Sequence, residues 1–103
     1  MNKTTVERSY YSDGNIKGER YCLDGKLHNE NGPAVVYYYE DGSVRSEWHY
    51  LDGKYHNENG PAVVWYYKDG NIKGEFYYLD DNRLTKAKFE SLIYSKLLEV
   101  IHE

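Results

Sequence analysis

Cysteine is nearly missing from this chain. Cys22 stands alone, so no internal disulfide framework exists, and a reducing compartment is the easier expectation. Long apolar runs are missing too. No stretch approaches the roughly 18 residues of a membrane-spanning helix. The opening MNKTTVERSYYSDG lacks the apolar segment of a signal peptide. A basic excess is also lacking. The net charge of −4 argues against partners recognised through phosphates or anionic lipids, which call for a basic patch. Neither a nucleophile elbow with Ser, His and Asp nor a phosphate-binding glycine loop is present. We therefore expect a cytoplasmic protein that is not an enzyme and needs no cofactor.

What the chain has in abundance is tyrosine, 13 residues of it. Tyrosine favours strands, pairs well across them, and suits thin cores and interfaces. The chain also repeats itself. HNENGPAVV occurs at 28–36 and again at 56–64, and the surrounding units 27–54 and 55–82 share 17 of 28 positions. Residues 10–26 match the second part of a unit, and GNIKGE recurs at 14–19 and 70–75. The 103 residues thus read as one domain: a partial repeat 1–26, repeats 27–54 and 55–82, and a C-terminal helix 85–102.

Within a unit, Ala34–Glu40 and Val44–Leu51 are β-branched and aromatic, and Asp41-Gly42 lies between them. A DG dipeptide so placed predicts a type I′ hairpin turn, in which both central residues take positive φ. That register puts Tyr39 opposite Val44, Tyr37 opposite Ser46 and Val35 opposite Trp48. Val35, Tyr37, Tyr39, Val44, Trp48 and Tyr50 then share an apolar face. Val36, Tyr38, Glu40, Arg45, Glu47 and His49 share a wet one. Asp13-Gly14, Asp24-Gly25, Asp52-Gly53 and Asp69-Gly70 repeat the device. Asp80-Asp81-Asn82 replaces DGK, and we expect the chain to leave the sheet there. Six strands follow, near 5–12, 15–23, 33–40, 43–51, 61–68 and 71–79, with short extended pieces near 26–28 and 54–56. The fold class is mainly β: an antiparallel meander of about six strands.

After residue 84 the period changes. Thr85 is a candidate N-cap, and Phe89, Leu92, Ile93, Leu97, Val100 and Ile101 fall along one helical stripe. We expect this amphipathic helix to bury all six side chains and cover the exposed aromatic face, lying on the sheet or capping its last edge.

The repeated Y-x-x-G-x-I/V-K-x-E-x-x-Y-L-x-G-K pattern followed by H-x-E-x-GPA resembles the MORN-repeat variant family. This family includes YwqK-type antitoxin-like proteins and the HNENGPA-type repeat proteins of bacteriophages and giant viruses. The resemblance covers residues 10–84. It implies a string of β-hairpins and no shared active site. It also implies a small inhibitor or antitoxin-like, anti-defence role in a phage or bacterial setting, in the host cytoplasm if the source is viral.

The candidate contact residues are Tyr38, Arg45, Glu47, His49, Tyr66, Lys73 and Tyr77, on a tyrosine-rich face suited to a protein partner. His28 and His56 join them, because a turn alone does not call for histidine. His28 with Glu30, and His56 with Glu58, offer only an H-x-E spacing, so a surface turn is the favoured reading over a metal site. Cys22 aligns with Tyr50 and Tyr78 and reads as a small buried hydrophobe. His49 and His102 have no partner visible in sequence. Glu19, Glu47 and Glu75 beside Lys17, Arg45 and Lys73 read as a cross-strand charge ladder. The alternatives are a small-ligand binder, such as a sponge for a signalling nucleotide, an acidic nucleic-acid mimic, and a scaffold or membrane-associated MORN protein. No direct nucleic-acid binding and no membrane span are expected. A homodimer is a further option through an open sheet edge.

Overall fold

The computed structural model describes residues 3–101, so His102 lies outside the described residues. Among them, ten strands and one helix follow one another. They are β1 (Thr4–Tyr10), β2 (Ile16–Leu23), β3 (Lys26–Leu27), β4 (Val35–Tyr38), β5 (Val44–Trp48), β6 (Tyr50–Leu51), β7 (Lys54–Tyr55), β8 (Val63–Tyr66), β9 (Ile72–Leu79), β10 (Asn82–Leu84) and α1 (Lys86–Ile101). The main sheet is an antiparallel meander in the order β1-β2-β4-β5-β8-β9-β10, with β3 also on β2. β6 and β7 pair separately. The expected mainly β architecture with a C-terminal helix on the sheet is what forms.

The DG dipeptides split into two turn types. Asp24 and Gly25 both take positive φ (50° and 81°), as do Asp52 and Gly53 (49° and 79°), which is the type I′ turn. Asp41-Gly42 behaves differently, because only Gly42 is left-handed (92°). Gly42 N–H donates to the Tyr39 carbonyl (3.0 Å) and Tyr39 N–H donates to Ser43 (2.9 Å). This is a three-residue loop, a type I turn closed by a left-handed glycine in a bulge. The Ser43 hydroxyl and then its amide bind the Asp41 carboxylate, at 2.6 and 2.9 Å, and hold its pKa below the usual range. Asp13-Gly14 and Asp69-Gly70 close in the same way, through Tyr11–Gly14 and Tyr67–Gly70. The longer loop shifts the register: Val35 still faces Trp48 and Tyr37 faces Ser46, but Tyr38, not Tyr39, meets Val44. Nor does the chain leave the sheet at Asp80. Asp80 and Asp81 take φ of 48° and 67°, and β10 returns along β9.

The nonapeptide has an unexpected geometry. β3 and β4 both run along the same edge of β2, with Leu27 opposite Cys22 and Val35 opposite Arg20. Between them only Tyr21 is left to pair. Its carbonyl accepts from His28 N–H (3.0 Å) and its own N–H donates to Ala34 (2.7 Å). Residues 28–34 therefore loop out of a strand opposite one residue and rejoin the ladder. His49 plays the part of Tyr21 in the next unit, accepting from His56 (3.1 Å) and donating to Ala62 (2.7 Å). Asn29 fastens the loop: its Oδ1 accepts from Asn31 N–H and its Nδ2 donates to the Pro33 carbonyl, at 3.0 and 3.1 Å. Asn57 does the same for its loop. Glycine and proline complete a short loop without needing a ladder donor at residue 33 or 61.

The core is thin and runs through the sheet's middle. Ala34, Val35, Val36, Ala62, Val63, Val64, Cys22 and Ser46 are buried. Small residues sit where large rings cross: a Cβ on Gly18 would stand 2.9 Å from the Tyr37 ring. Thr85 caps α1 as expected, its hydroxyl accepting from Lys88 N–H (3.1 Å). Phe89 is buried against Tyr77, ring centroids 4.9 Å apart, and Lys96 reaches Glu58 at 3.0 Å. The rest of the stripe departs from expectation. Leu92, Leu97 and Val100 are exposed, Leu97 by 57%. The side chain of Ile101 lies outside what is described.

Candidate functional site

The helix lies on the opposite face from the one expected. Phe76 faces Val63, and Val63 faces Trp48, so these share one face. Tyr77 follows Phe76 and points the other way. Because Phe89 packs on Tyr77, α1 covers the face that carries Glu47 and Val64, and the tryptophan face stays uncovered.

On that uncovered face the repeat stacks rings. Trp48 meets Trp65 edge to face, centroids 5.6 Å apart, and meets Tyr55 at 6.0 Å. Tyr55 lies between Tyr50 (4.7 Å) and Tyr78 (5.0 Å). The I′ turns bring this about, because they return Tyr55 alongside Tyr50 in the β6–β7 pair. Burial, and then the Tyr55 hydroxyl, push the Tyr50 pKa well above the ordinary phenol range, so its hydroxyl remains a donor. A cleft of about 310 Å³ opens between Arg20, Leu27, Tyr37, Trp48, Tyr50 and Tyr55.

Arg45 joins this face rather than the wet one. The bulge carries its guanidinium to 6.0 Å from both the Tyr39 and Trp65 rings. Lys73 stands 5.7 Å from the Tyr67 ring in the same way. The expected ladder of carboxylates and bases is replaced by bonds between units. Tyr38 hydroxyl donates to Glu19 (2.6 Å) and Tyr66 hydroxyl donates to Glu47 (2.7 Å). Glu19 also takes Arg8 (2.9 Å). The Tyr38 hydroxyl, with Arg8 behind it, holds Glu19 below the usual carboxylate range. Burial and the facing carboxylates push both Tyr38 and Tyr66 up to about 12.

The histidines have a specific job. His28 Nδ1 accepts from Asp52 N–H (2.9 Å), and His56 Nδ1 accepts from Asp80 N–H (3.0 Å). Each thus holds the first residue of the I′ turn that closes its own unit. Neutral imidazole then carries its hydrogen on Nε2, which in His28 faces Glu30 at 3.5 Å. The backbone adds two more ties on each side, Gly53 to Leu27 (2.9 Å) and Asn29 to Tyr50 (3.2 Å), repeated by Asp81 to Tyr55 and Asn57 to Tyr78. His49 Nδ1 lies 3.2 Å from the Ala62 carbonyl, at the rim of a groove of about 450 Å³ between the two loops. No group of three or more His, Cys, Asp or Glu side chains converges there or elsewhere among the described residues.

Of the nine residues singled out in sequence, the structure brings Arg45 to the uncovered face. Tyr38, Tyr66 and Glu47 are engaged between units, His28 and His56 hold turns, and Tyr77 is buried under Phe89. Sequence reasoning placed Trp48 on the apolar face under the helix and did not single out Trp65, Tyr55 or Tyr78 as contacts. The signal for Trp48, Trp65 and Tyr78 was the i+28 recurrence of aromatics at 37/65, 48/76 and 50/78; Tyr55, which replaces Leu27 of the preceding unit, had none. No family model matches the chain, and no curated protein or solved structure matches it.

Proposed function

We propose that this chain is a non-enzymatic protein-interaction module that holds an extended polypeptide segment against its tryptophan face. The observation that carries the reading is the uncovered cluster of Trp48, Tyr55, Tyr50, Tyr78 and Trp65, flanked by Arg45. Tyrosine, tryptophan and arginine dominate the binding energy of protein interfaces, because their rings desolvate large areas at low entropy cost. Arg20 and Arg45 suit a partner with acidic residues beside apolar ones. The finer form of the reading is an inhibitor or antitoxin-like protein that neutralises its partner, as the MORN-variant resemblance implies.

Panning a random peptide library tests the reading. Wild-type protein enriches peptides with apolar and acidic residues. Binding of these falls with Trp48→Ala by about 2 kcal/mol, the size of a hot spot. Both tryptophans lie on this face, so intrinsic fluorescence reports the occupancy directly. Equal binding by wild type and a folded Trp48→Ala, Tyr55→Ala double variant sinks the proposal. An inhibitory role requires further that the partner's own activity falls on mixing.

A further inference from the structure

The bonds between units recur every 28 residues, and at the two ends of the sheet each is half made. Tyr38 donates to Glu19 and Tyr66 donates to Glu47. The next carboxylate in this series is Glu75, and the first tyrosine is Tyr10. Among the described residues neither has such a partner: Glu75 is exposed, and Tyr10 is 57% exposed. A second series behaves alike. Tyr11 hydroxyl donates to the Tyr38 carbonyl (2.6 Å) and Tyr39 hydroxyl donates to Tyr66 (2.7 Å). Tyr67 continues it, at 50% exposure, with no carbonyl of a following unit to meet. The carbonyl in matching place is that of Tyr10.

Both edges are also open. Among the described residues β1 pairs only with β2. β9 pairs with β8 through residues 63–66, and on its other side β10 reaches only Tyr77–Leu79. The equivalent part of β5 is covered by β8, with Ser46 opposite Trp65, Glu47 opposite Val64 and Trp48 opposite Val63. Ser46 is accordingly buried, whereas Gly74 in its place is half-buried. The helix does not fill the gap, because it turns back across the sheet to put Lys96 on Glu58. A groove of about 360 Å³ remains there, beside Glu75, Phe76 and Arg83.

We infer that copies of this chain associate head to tail, the β9 edge of one copy pairing antiparallel with the β1 edge of the next in the register that joins its own units. That register places Gly74 opposite Ser9 of the next copy, Glu75 opposite Arg8, and Phe76 opposite Glu7, and it ends there, because β10 holds Tyr77–Leu79 and turns Thr4–Val6 of the next copy aside. Charge agrees at both ionic positions. Glu75 meets the Arg8 guanidinium, and Glu7 meets Arg83, whose guanidinium stands 5.0 Å from the Phe76 ring. Tyr10 then completes the Glu75 bond and Tyr67 completes the carbonyl bond. Such a contact joins two different surfaces and does not close, so association continues beyond a dimer.

Sedimentation velocity over a rising concentration series tests this. The wild-type chain gains mass continuously past the dimer. Glu75→Arg and Arg8→Glu each set like charges against one another and weaken association by about tenfold or more. The double variant restores the facing pair and associates as wild type does. Circular dichroism confirms folding, and Tyr10→Phe, which deletes only the hydroxyl, takes the place of Arg8→Glu should that variant not fold. A wild-type chain that stays monomeric at all concentrations overturns the inference. So does a dimer that stops at two copies, or a Glu75→Arg variant that associates undiminished.

Discussion

A turn has no need of histidine, yet His28 and His56 fit theirs through a short lateral reach. The imidazole Nδ1 is held where the turn closing its own unit offers an amide, at 2.9 Å for Asp52 and 3.0 Å for Asp80. His56→Ala is expected to lower stability by about 1 kcal/mol, the net worth of a typical hydrogen bond. His56→Asn, whose Oδ1 sits where Nδ1 does, recovers much of it in urea denaturation. The Tyr38–Glu19 bond gives stability a dependence on pH at both ends. Glu19 has a lowered pKa in the fold, so its contribution is complete above the ordinary carboxylate range and is lost as pH falls through that lowered value. Tyr38 has a raised one, about 12, so its contribution is complete below the ordinary phenol range and is lost as pH climbs through about 12. Tyr38→Phe flattens both limbs of the denaturation midpoint plotted against pH. An unchanged acid limb would mean that the Tyr38 hydroxyl is not what holds Glu19 down.

Among elements, the hairpins and the helix differ in how much their sequence commits them. Gly42 sits at φ 92°, in the left-handed region that a side chain disfavours by about 1–2 kcal/mol. Gly32 has an ordinary φ and its nearest neighbour would stand 3.9 Å from a Cβ. Gly42→Ala is therefore expected to destabilise, while Gly32→Ala stays close to neutral, as thermal melts would distinguish. In α1 the stabilising contact is concentrated in the first turns. Phe89→Ala, which empties a buried site against Tyr77, costs about 3–5 kcal/mol. Leu97→Asp leaves cooperative unfolding intact, because Leu97 is already exposed. The helical stripe was legible in the spacing of its apolar residues. Its docking was not, because a stripe records that a face is apolar and not how much of it finds a partner.

Among the described residues the strands of each unit pair only within that unit or with the adjacent one, which makes stability a sum over units and their joints. Excising residues 28–55 joins Leu27 to His56 and recreates every junction, since His56 then faces Tyr21 as His28 did and Tyr66 faces Glu19 as Tyr38 did. The shortened chain is expected to fold cooperatively with a lower melting temperature. Loss of a cooperative transition would show that the units are not interchangeable. The meander and its DG turns were readable from the 28-residue recurrence, whereas the Asp80-Asp81 turn into β10 was not. The candidate site was readable only in part. Arg45 was placed on the wrong face, since the bulge of the three-residue hairpin changes which way side chains point; the Trp48–Tyr55 stack was passed over, since it depends on the β6–β7 turn returning Tyr55 beside Tyr50.

The amino-acid sequence by itself determined what is local or repeated. Asp-Gly supplies turns, alternating β-branched and aromatic residues supply strands, and identical units pair in identical registers because each meets the same neighbour. Only the tertiary structure decided what depends on residues far apart. Whether Asp-Gly makes a two- or a three-residue loop depends on the ladder bonds around it, as Tyr39 and Ser43 show. Which face α1 covers depends on Phe89 meeting Tyr77 and Lys96 meeting Glu58, 38 residues away. The doubled nonapeptide combines both. Its asparagines, glycine and proline form the loop locally, but that it leaves and rejoins the ladder opposite a single residue is fixed by the strand beside it.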